Sequence, residues 1–334
     1  MHFSSIIGQP LAVSLCQRWL EKGSTNPLLF YGFDGIGKRT LALEVAKQLN
    51  CDAKTRGRED GESHKNNIAM SPSHHVSPSC PCNSCHRIAA GNHPDVHALS
   101  LASQAVERKE PLEKQHHLRI ETILNERRRL FQSPLEGPWK VCIVDDAHLL
   151  TMDAANALLK VLEEPPEKTA IFLLTSAKDR LLGTIQSRCQ PVRCRSLNDE
   201  EMHRCLTSLT IPEENQTRLL EMALGSPGKA LQAHREDDIH AITEAEHLWE
   251  KLSHLTPAAC FGQKLTRAQA EEKLAHLLIP ARRALHAGNT KAPQAIQTIL
   301  RAQARLRSNV QPTLAYEDLV IQLASLRQRE ARSE

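Results

Sequence analysis

Pro27-Leu28-Leu29-Phe30-Tyr31-Gly32-Phe33-Asp34-Gly35-Ile36-Gly37-Lys38-Arg39-Thr40 is the stretch on which the fold turns. Pro27 to Tyr31 is a short apolar run, long enough for a buried strand. Gly32 to Gly37 is a glycine-rich turn. From Thr40 to Leu49 the apolar residues return at helical spacing, with Leu41, Val45 and Leu49 on one stripe. Strand, glycine-rich loop, lysine, helix is the context a phosphate-binding loop requires. Gly32, Gly35 and Gly37 let backbone N–H groups turn inward as an anion nest, and the helix N-terminus adds partial positive charge. Lys38 would reach the outer phosphates of a nucleotide. The next position normally carries a Ser or Thr hydroxyl for Mg²⁺. Here it is Arg39, and Thr40 comes one residue late.

The second half of such a site is an acidic residue at the end of another strand. Val141-Cys142-Ile143-Val144-Asp145-Asp146 supplies it. Asp145 would bind Mg²⁺, directly or through water. Asp146 stands where a Glu usually polarises the attacking water. Further strands are expected at Asp95–Leu99 and Ala170–Leu174, and helices at 11–20, 118–131 and Ala154–Leu162, the last halted by Pro165-Pro166. In the first of these helices Leu11, Leu15 and Trp19 form one row and Ala12, Cys16 and Leu20 the next. Strands alternating with helices predict a parallel sheet covered on both faces. No convincing strand follows residue 195. Residues 196–241 read as a small helical unit and 242–334 as a larger one, with Leu314, Leu319, Leu323 and Leu326 as its last apolar stripe.

The totals agree with two or three domains. The chain has 334 residues, 40% of them hydrophobic and only 3% aromatic, so its cores are aliphatic and lean helical. The net charge of +3 gives no basic tail for nucleic acid. The first ten residues lack a basic n-region and a long apolar run, and no stretch approaches the eighteen apolar residues of a membrane span. The expectation is a cytoplasmic protein with no membrane partner, whose ten cysteines are free thiols or metal ligands.

Several further segments carry a resemblance. Ile7-Gly8-Gln9, Gly35-Ile36-Gly37-Lys38, Ala90-Gly91-Asn92-His93-Pro94-Asp95, Asn156-Ala157-Leu158-Leu159-Lys160, Leu162-Glu163-Glu164-Pro165-Pro166, Ser187-Arg188-Cys189 and Gly225-Ser226-Pro227-Gly228-Lys229-Ala230-Leu231 follow one another in order. Over residues 3–231 the chain resembles the delta-prime subunits of the bacterial DNA polymerase III clamp loader, relatives of the gamma/tau subunits. The resemblance implies an AAA+ P-loop domain over 1–195, a helical lid over 196–241 and a helical collar for oligomerisation over 242–334. It implies gamma/tau and delta subunits as partners, with a sliding clamp loaded onto primed DNA by the assembled complex. Arg188 would be a trans-acting arginine finger for a neighbour's ATP. Arg39, Asp146 and the Gly228-Lys229 pair, where gamma/tau subunits keep a sensor arginine, depart from the hydrolytic pattern. They favour a delta-prime-type, non-motor subunit in which ATP and Mg²⁺ could bind but hydrolysis is weak or lost. The alternatives are an active gamma/tau-type ATPase and, from another class, a stand-alone P-loop transferase.

The family also implies a four-cysteine zinc module near 51–85. Cys51, Cys82 and Cys85 match its ligands, and Cys80 falls one residue late, giving Cys-x-Cys-x2-Cys. Cys80 is the expected fourth ligand, with His74 or His75 of the polar insertion at 52–79 as the other option. The site would be structural, because no ligand belongs to the phosphate loop. Cys16, Cys142, Cys194, Cys205 and Cys260 read as small core residues. Arg127-Arg128-Arg129 reads as a solvated helix face or a surface turned to DNA.

Overall fold

The computed structural model describes residues 2–52, 80–235, 238–252, 264–307 and 310–331. The polar insertion, with His74 and His75, lies outside the described residues apart from Asp52, and so does Cys260. The chain divides into two compact units. The first comprises Met1–Glu213 and Ala223–Lys229, the second Glu214–Met222 and Ala230–Glu334.

Five parallel strands build the first unit: β1 (Leu28–Tyr31), β2 (Val96–Leu99), β3 (Lys140–Val144), β4 (Thr169–Thr175) and β5 (Gln190–Arg193). Their order is β2-β3-β4-β1-β5. Period-two alternation sends successive side chains to opposite faces. Leu28, Phe30, Val141, Ile143, Phe172 and Leu174 meet α1 (Pro10–Glu21) and α2 (Lys38–Asn50) on one side. The other face is covered by α5 (Ile120–Leu130) and α6 (Met152–Glu163), which pack on Leu29, Cys142, Val144, Ile171 and Leu173. Both faces are therefore dry, which explains why β3 and β4 are buried at every position. In sequence α3 (Asn83–Ala89) and α4 (Leu101–Arg108) lie between α2 and α5, and after β4 a single turn, α7 (Gly183–Gln186), leads into β5.

One expected stripe is out of phase. In α1 the buried residues are Ala12, Cys16 and Trp19, while Leu11 is 79% exposed. Trp19 sets the phase. Its indole N–H donates to the Asn26 carbonyl and its ring meets Phe172 edge-on, so Ala12 and Cys16 face the core beside it and Leu11, at the other end of its own row, turns outward.

Among the described residues no strand follows Arg193. The remaining helices are α8 (Asp199–Ser208), α9 (Glu213–Ala223), α10 (Pro227–Arg235), α11 (Asp238–Lys251), α12 (Arg267–His286), α13 (Ala292–Arg307) and α14 (Pro312–Ala331). In the second unit α11 to α14 share a core of Trp249, Leu252, Leu274, Leu277, Ile299, Leu306, Leu319 and Leu323. Leu319 and Leu323 of the expected last stripe are buried there, but Leu314, in the first turn of α14, is 55% exposed. Position 241/242, the expected lid–collar boundary, falls inside α11. Among the described residues no helix is long and apolar enough to cross a membrane.

Candidate nucleotide site and cysteine cluster

In a parallel sheet all strands end at one edge, and ligands bind outside those carboxyl ends. The loop after β1 holds Gly32 to Gly37, the segment after β3 holds Asp145 and Asp146, and Gly32 N–H donates to the carbonyl of Thr175 at the end of β4 (3.3 Å). Three separate parts of the sequence thus converge. Gly37 caps α2 in the left-handed conformation (φ 94°), and no side chain caps that helix end. A Cβ on Gly37 would meet nothing within 4 Å, so the cradle is open there.

Lys38 is buried, and its Nζ donates to the carbonyls of Gly32 (3.0 Å) and Phe33 (2.8 Å). Burial lowers its pKa, opposed by the nearby carboxylates of Asp34, Asp146 and Asp145. Arg39, which replaces the usual hydroxyl residue, reaches across to β3. Its Nη1 lies 2.9 Å from Asp145 Oδ2. The other oxygen of Asp145 accepts the Asp146 N–H at 3.2 Å. Asp146 takes a left-handed backbone (φ 47°), and burial, then Asp145, raise its pKa. Thr40 is exposed on the next position of α2, about 100° further round the helix. The residues present therefore suit the phosphates of a nucleotide. They do not suit Mg²⁺, because its hydroxyl ligand is missing and its carboxylate is ion-paired.

A segment nearly two hundred positions further along the chain docks on this loop. Ser226 Oγ donates to the Asp34 carbonyl (2.8 Å), and Gly228 N–H donates to the Gly35 carbonyl (2.8 Å). A Cβ on Gly228 would lie 2.8 Å from Gly35 Cα, so backbone touches backbone and no side chain fits. The Gly225–Lys229 segment is thus placed against the phosphate loop with glycine at the contact. Gln9 clamps the chain after β5. Its Nε2 donates to the Arg195 carbonyl (2.6 Å) and its Oε1 accepts Arg195 N–H (3.0 Å). The Arg195 guanidinium in turn forks onto Glu201 at 2.8 and 2.6 Å.

Arg188 follows α7 and precedes the edge strand β5. Its Nη1 donates to the Thr184 carbonyl (2.9 Å), and its Nη2 lies 2.5 Å from Glu163 Oε1 at the end of α6. Both side chains are partly exposed, at 35% and 49%. In the chain by itself the guanidinium is held by a local carboxylate at the surface. Arg127 and Arg128 line a surface depression with Phe131 and Lys160.

The cysteines come together as expected. The sulfurs of Cys51, Cys80, Cys82 and Cys85 all lie within 4.8 Å of one another. Cys51 Sγ is 3.6 Å from that of Cys80 and 3.8 Å from that of Cys82. Tetrahedral zinc with bonds near 2.3 Å needs sulfurs about 3.8 Å apart, so the four could hold a zinc ion. The late position of Cys80 does not prevent it from joining. Cys51 caps the end of α2, and Cys82 caps α3 by accepting Cys85 N–H at 3.4 Å.

The chain is similar to several known proteins. The family described as DNA polymerase III, delta subunit, matches residues 66–198. The delta-prime subunit of DNA polymerase III from Pseudomonas aeruginosa is 32% identical over 253 residues, covering 72% of this chain and 68% of the relative. The gamma subunit from Buchnera aphidicola is 28% identical over 218 residues, covering 64% of this chain and 50% of the relative. The chain thus spans about half the length of that gamma relative. In fold it is similar to a DNA polymerase III gamma-subunit-related protein of Thermotoga maritima, at TM-score 0.51 and 20% identity over 96% of this chain and 99% of that one.

Proposed function

Because this chain belongs to the delta/delta-prime family of DNA polymerase III clamp-loader subunits, we propose that it is a delta-prime-type, non-motor member of that complex. It works beside gamma/tau and delta subunits to load a sliding clamp onto primed DNA. The observation that carries the non-motor assignment is the Arg39–Asp145 ion pair. It occupies the carboxylate that a hydrolysing site keeps for Mg²⁺, and Asp146 is a methylene shorter than the usual Glu. Isolated chain is expected to turn over little or no ATP. An active gamma/tau-type motor is the second reading, supported by the intact Lys38 and by the likeness to gamma subunits. Robust turnover lost in Lys38→Ala would establish that second reading and end the first.

Arg188 is the residue through which such a subunit would act. An arginine supplied across a subunit boundary stabilises charge on the transferring phosphoryl group, with an effect of about 10³–10⁵ in rate. Its planar fork suits phosphate oxygens, and its exposed place before an edge strand leaves it within reach of a neighbour. Glu163 would hold the fork until a neighbour's phosphates compete for it. The test is ATPase and clamp loading by complexes reconstituted with gamma and delta subunits. Arg188→Ala should assemble normally and lower both rates, and Arg188→Lys should restore only part. Unchanged rates in a fully assembled Arg188→Ala complex would remove the residue from the mechanism.

The four-cysteine cluster is assigned a structural zinc, since its ligands come from the end of α2 and the start of α3 and none from the phosphate loop. The helical second unit is assigned the oligomeric contacts.

A further inference from the structure

We propose that Arg39 stands in for the divalent cation at this P-loop, so that the loop binds the polyphosphate of a nucleoside di- or triphosphate without Mg²⁺. This rests on the nucleotide-site part of the reading above and is independent of the role given to Arg188.

In a metal-dependent site the cation bridges a helix hydroxyl, a strand-end carboxylate and the phosphates. Here a permanent positive charge already bridges the same two protein elements. Arg39 sits on the second residue of α2, and Asp145 follows β3. The guanidinium spans 106 positions of sequence with a 2.9 Å contact. Both Asp145 oxygens are engaged, one by Arg39 and one by Asp146 N–H. A metal would have to displace a charged group that cannot lose its proton. Arg39 remains half exposed, at 50%, beside the uncapped helix end. Its fork has further N–H groups to offer a phosphate, which a single bond to Asp145 does not use up.

The balance of charge agrees. Asp34, Asp145 and Asp146 all act on Lys38, and three free carboxylates would repel a bare polyphosphate. Arg39 neutralises Asp145. Asp34 Oδ1 is turned back to accept Gly35 N–H at 2.9 Å. The Asp146 N–H donates to Asp145 Oδ1 at 3.2 Å. Lys38, the open nest at Gly37 and the helix N-terminus add positive or partly positive charge on the cradle side.

The experiment titrates ATP and ADP into the intact 334-residue chain, once in excess EDTA and once in Mg²⁺, by calorimetry. Wild-type affinities in the two buffers should agree within about threefold, or favour EDTA. Arg39→Ser, which restores the hydroxyl, should lose about tenfold in EDTA and regain it with Mg²⁺. Asp145→Asn should bind in EDTA at least as tightly as wild type, because the fork is released toward the phosphates. A metal-dependent site would instead weaken. Wild-type binding that EDTA abolishes would overturn the proposal, as would wild-type binding of neither nucleotide in either buffer. Turnover by the Arg188→Ala complex tests the functional reading separately, so the two can fail one without the other.

Discussion

Asp95 is fully buried, and three backbone N–H groups close on its carboxylate: Leu135 at 2.7 Å, Glu136 at 2.8 Å and Gly137 at 2.8 Å. It staples the loop before β3 to the start of β2. Burial alone would raise its pKa, but these donors outweigh burial and hold it below the ordinary carboxylate value. Beside it His93 is buried and neutral. Its Nδ1 accepts Asp95 N–H at 3.1 Å, its Nε2 meets Ser84 Oγ at 3.1 Å, and burial above all lowers its pKa. The signs follow from linkage. A histidine with a lowered folded pKa stabilises above the unfolded value of about 6.5 and loses that contribution as pH falls below it. An aspartate with a lowered folded pKa stabilises above the unfolded value of about 3.9 and loses that as pH falls through its folded value. Urea midpoints should therefore decline in two stages on acidification. His93→Gln should remove the first stage and leave the second, and a single stage at carboxylate pH in the wild type would contradict the account. Asp95→Ala removes a fully buried acceptor from three backbone donors and should cost about 3 kcal/mol at neutral pH. A loss below about 1 kcal/mol in urea melts would show that water takes the carboxylate's place.

At the scale of elements, the cysteine cluster joins the end of α2 to the start of α3, and Asn50 beside it ties in the loop before β3. Ser84 Oγ donates to the Asn50 carbonyl at 2.5 Å, and Asn50 Oδ1 accepts Trp139 N–H at 3.0 Å. A zinc on Cys51, Cys80, Cys82 and Cys85 would brace the same corner. Protein purified without chelator should carry one zinc per chain, and stripping it should lower Tm by about 4–8 °C for a cost near 2 kcal/mol. Folded protein with zinc content near zero would refute the assignment, and Cys85→Ser should reproduce the stripped state. Cys80, Cys82 and Cys85 were legible from their local spacing, and Cys51, 29 positions before Cys80, through the family resemblance. So were β1, β3 and β4, which are short apolar runs between turns. The edge strand β5 was not. Only Val192 of its four residues is buried, and Pro191 argues against a strand. It is a strand because Gln190 N–H donates to the Pro27 carbonyl and Cys194 N–H to the Tyr31 carbonyl, both at 2.8 Å. An edge position tolerates the missing donor of Pro191. Helix α4 was invisible for another reason. It is anchored by a buried glutamine, Gln104, which bonds Gln115 and the His117 carbonyl rather than forming an apolar stripe. In the nucleotide site the glycines, Lys38 and Asp145 stood out as motifs. The Arg39–Asp145 pair and the Gly228–Gly35 contact join residues 106 and 193 positions apart, and no local pattern encodes them.

At the scale of the whole molecule, the second unit has a core of its own and still leaves apolar side chains outside it. Helices α11 to α14 bury Trp249, Leu274, Leu277, Ile299, Leu306, Leu319 and Leu323 together. Arg283 on α12 ties α9 and α11 to the bundle, pairing with Glu221 and, at 3.0 Å, with Glu246. With its interior filled, the bundle has no internal need for Leu285, Leu300 and Leu314, which remain 42%, 48% and 55% exposed. Isolated surface leucines are common. In a unit assigned to oligomerisation they are also the side chains that a partner's bundle could cover. Leu300→Lys and Leu314→Lys change exposed positions on α13 and α14, so the melting temperature of the isolated chain should move little. If these helices form the collar, the double variant should lose about tenfold or more in affinity for gamma and delta subunits, as expected when a central apolar contact is replaced by charge. A chain ending at residue 237, before α11, should lose assembly altogether while keeping the sheet with its phosphate loop. Size-exclusion chromatography with multi-angle scattering, run on mixtures with the partner subunits, reads both effects. Full-affinity assembly by the shortened chain would move the oligomeric contacts to the P-loop unit. Arg188 would then have to reach a neighbour's phosphates without a collar to set the spacing between subunits.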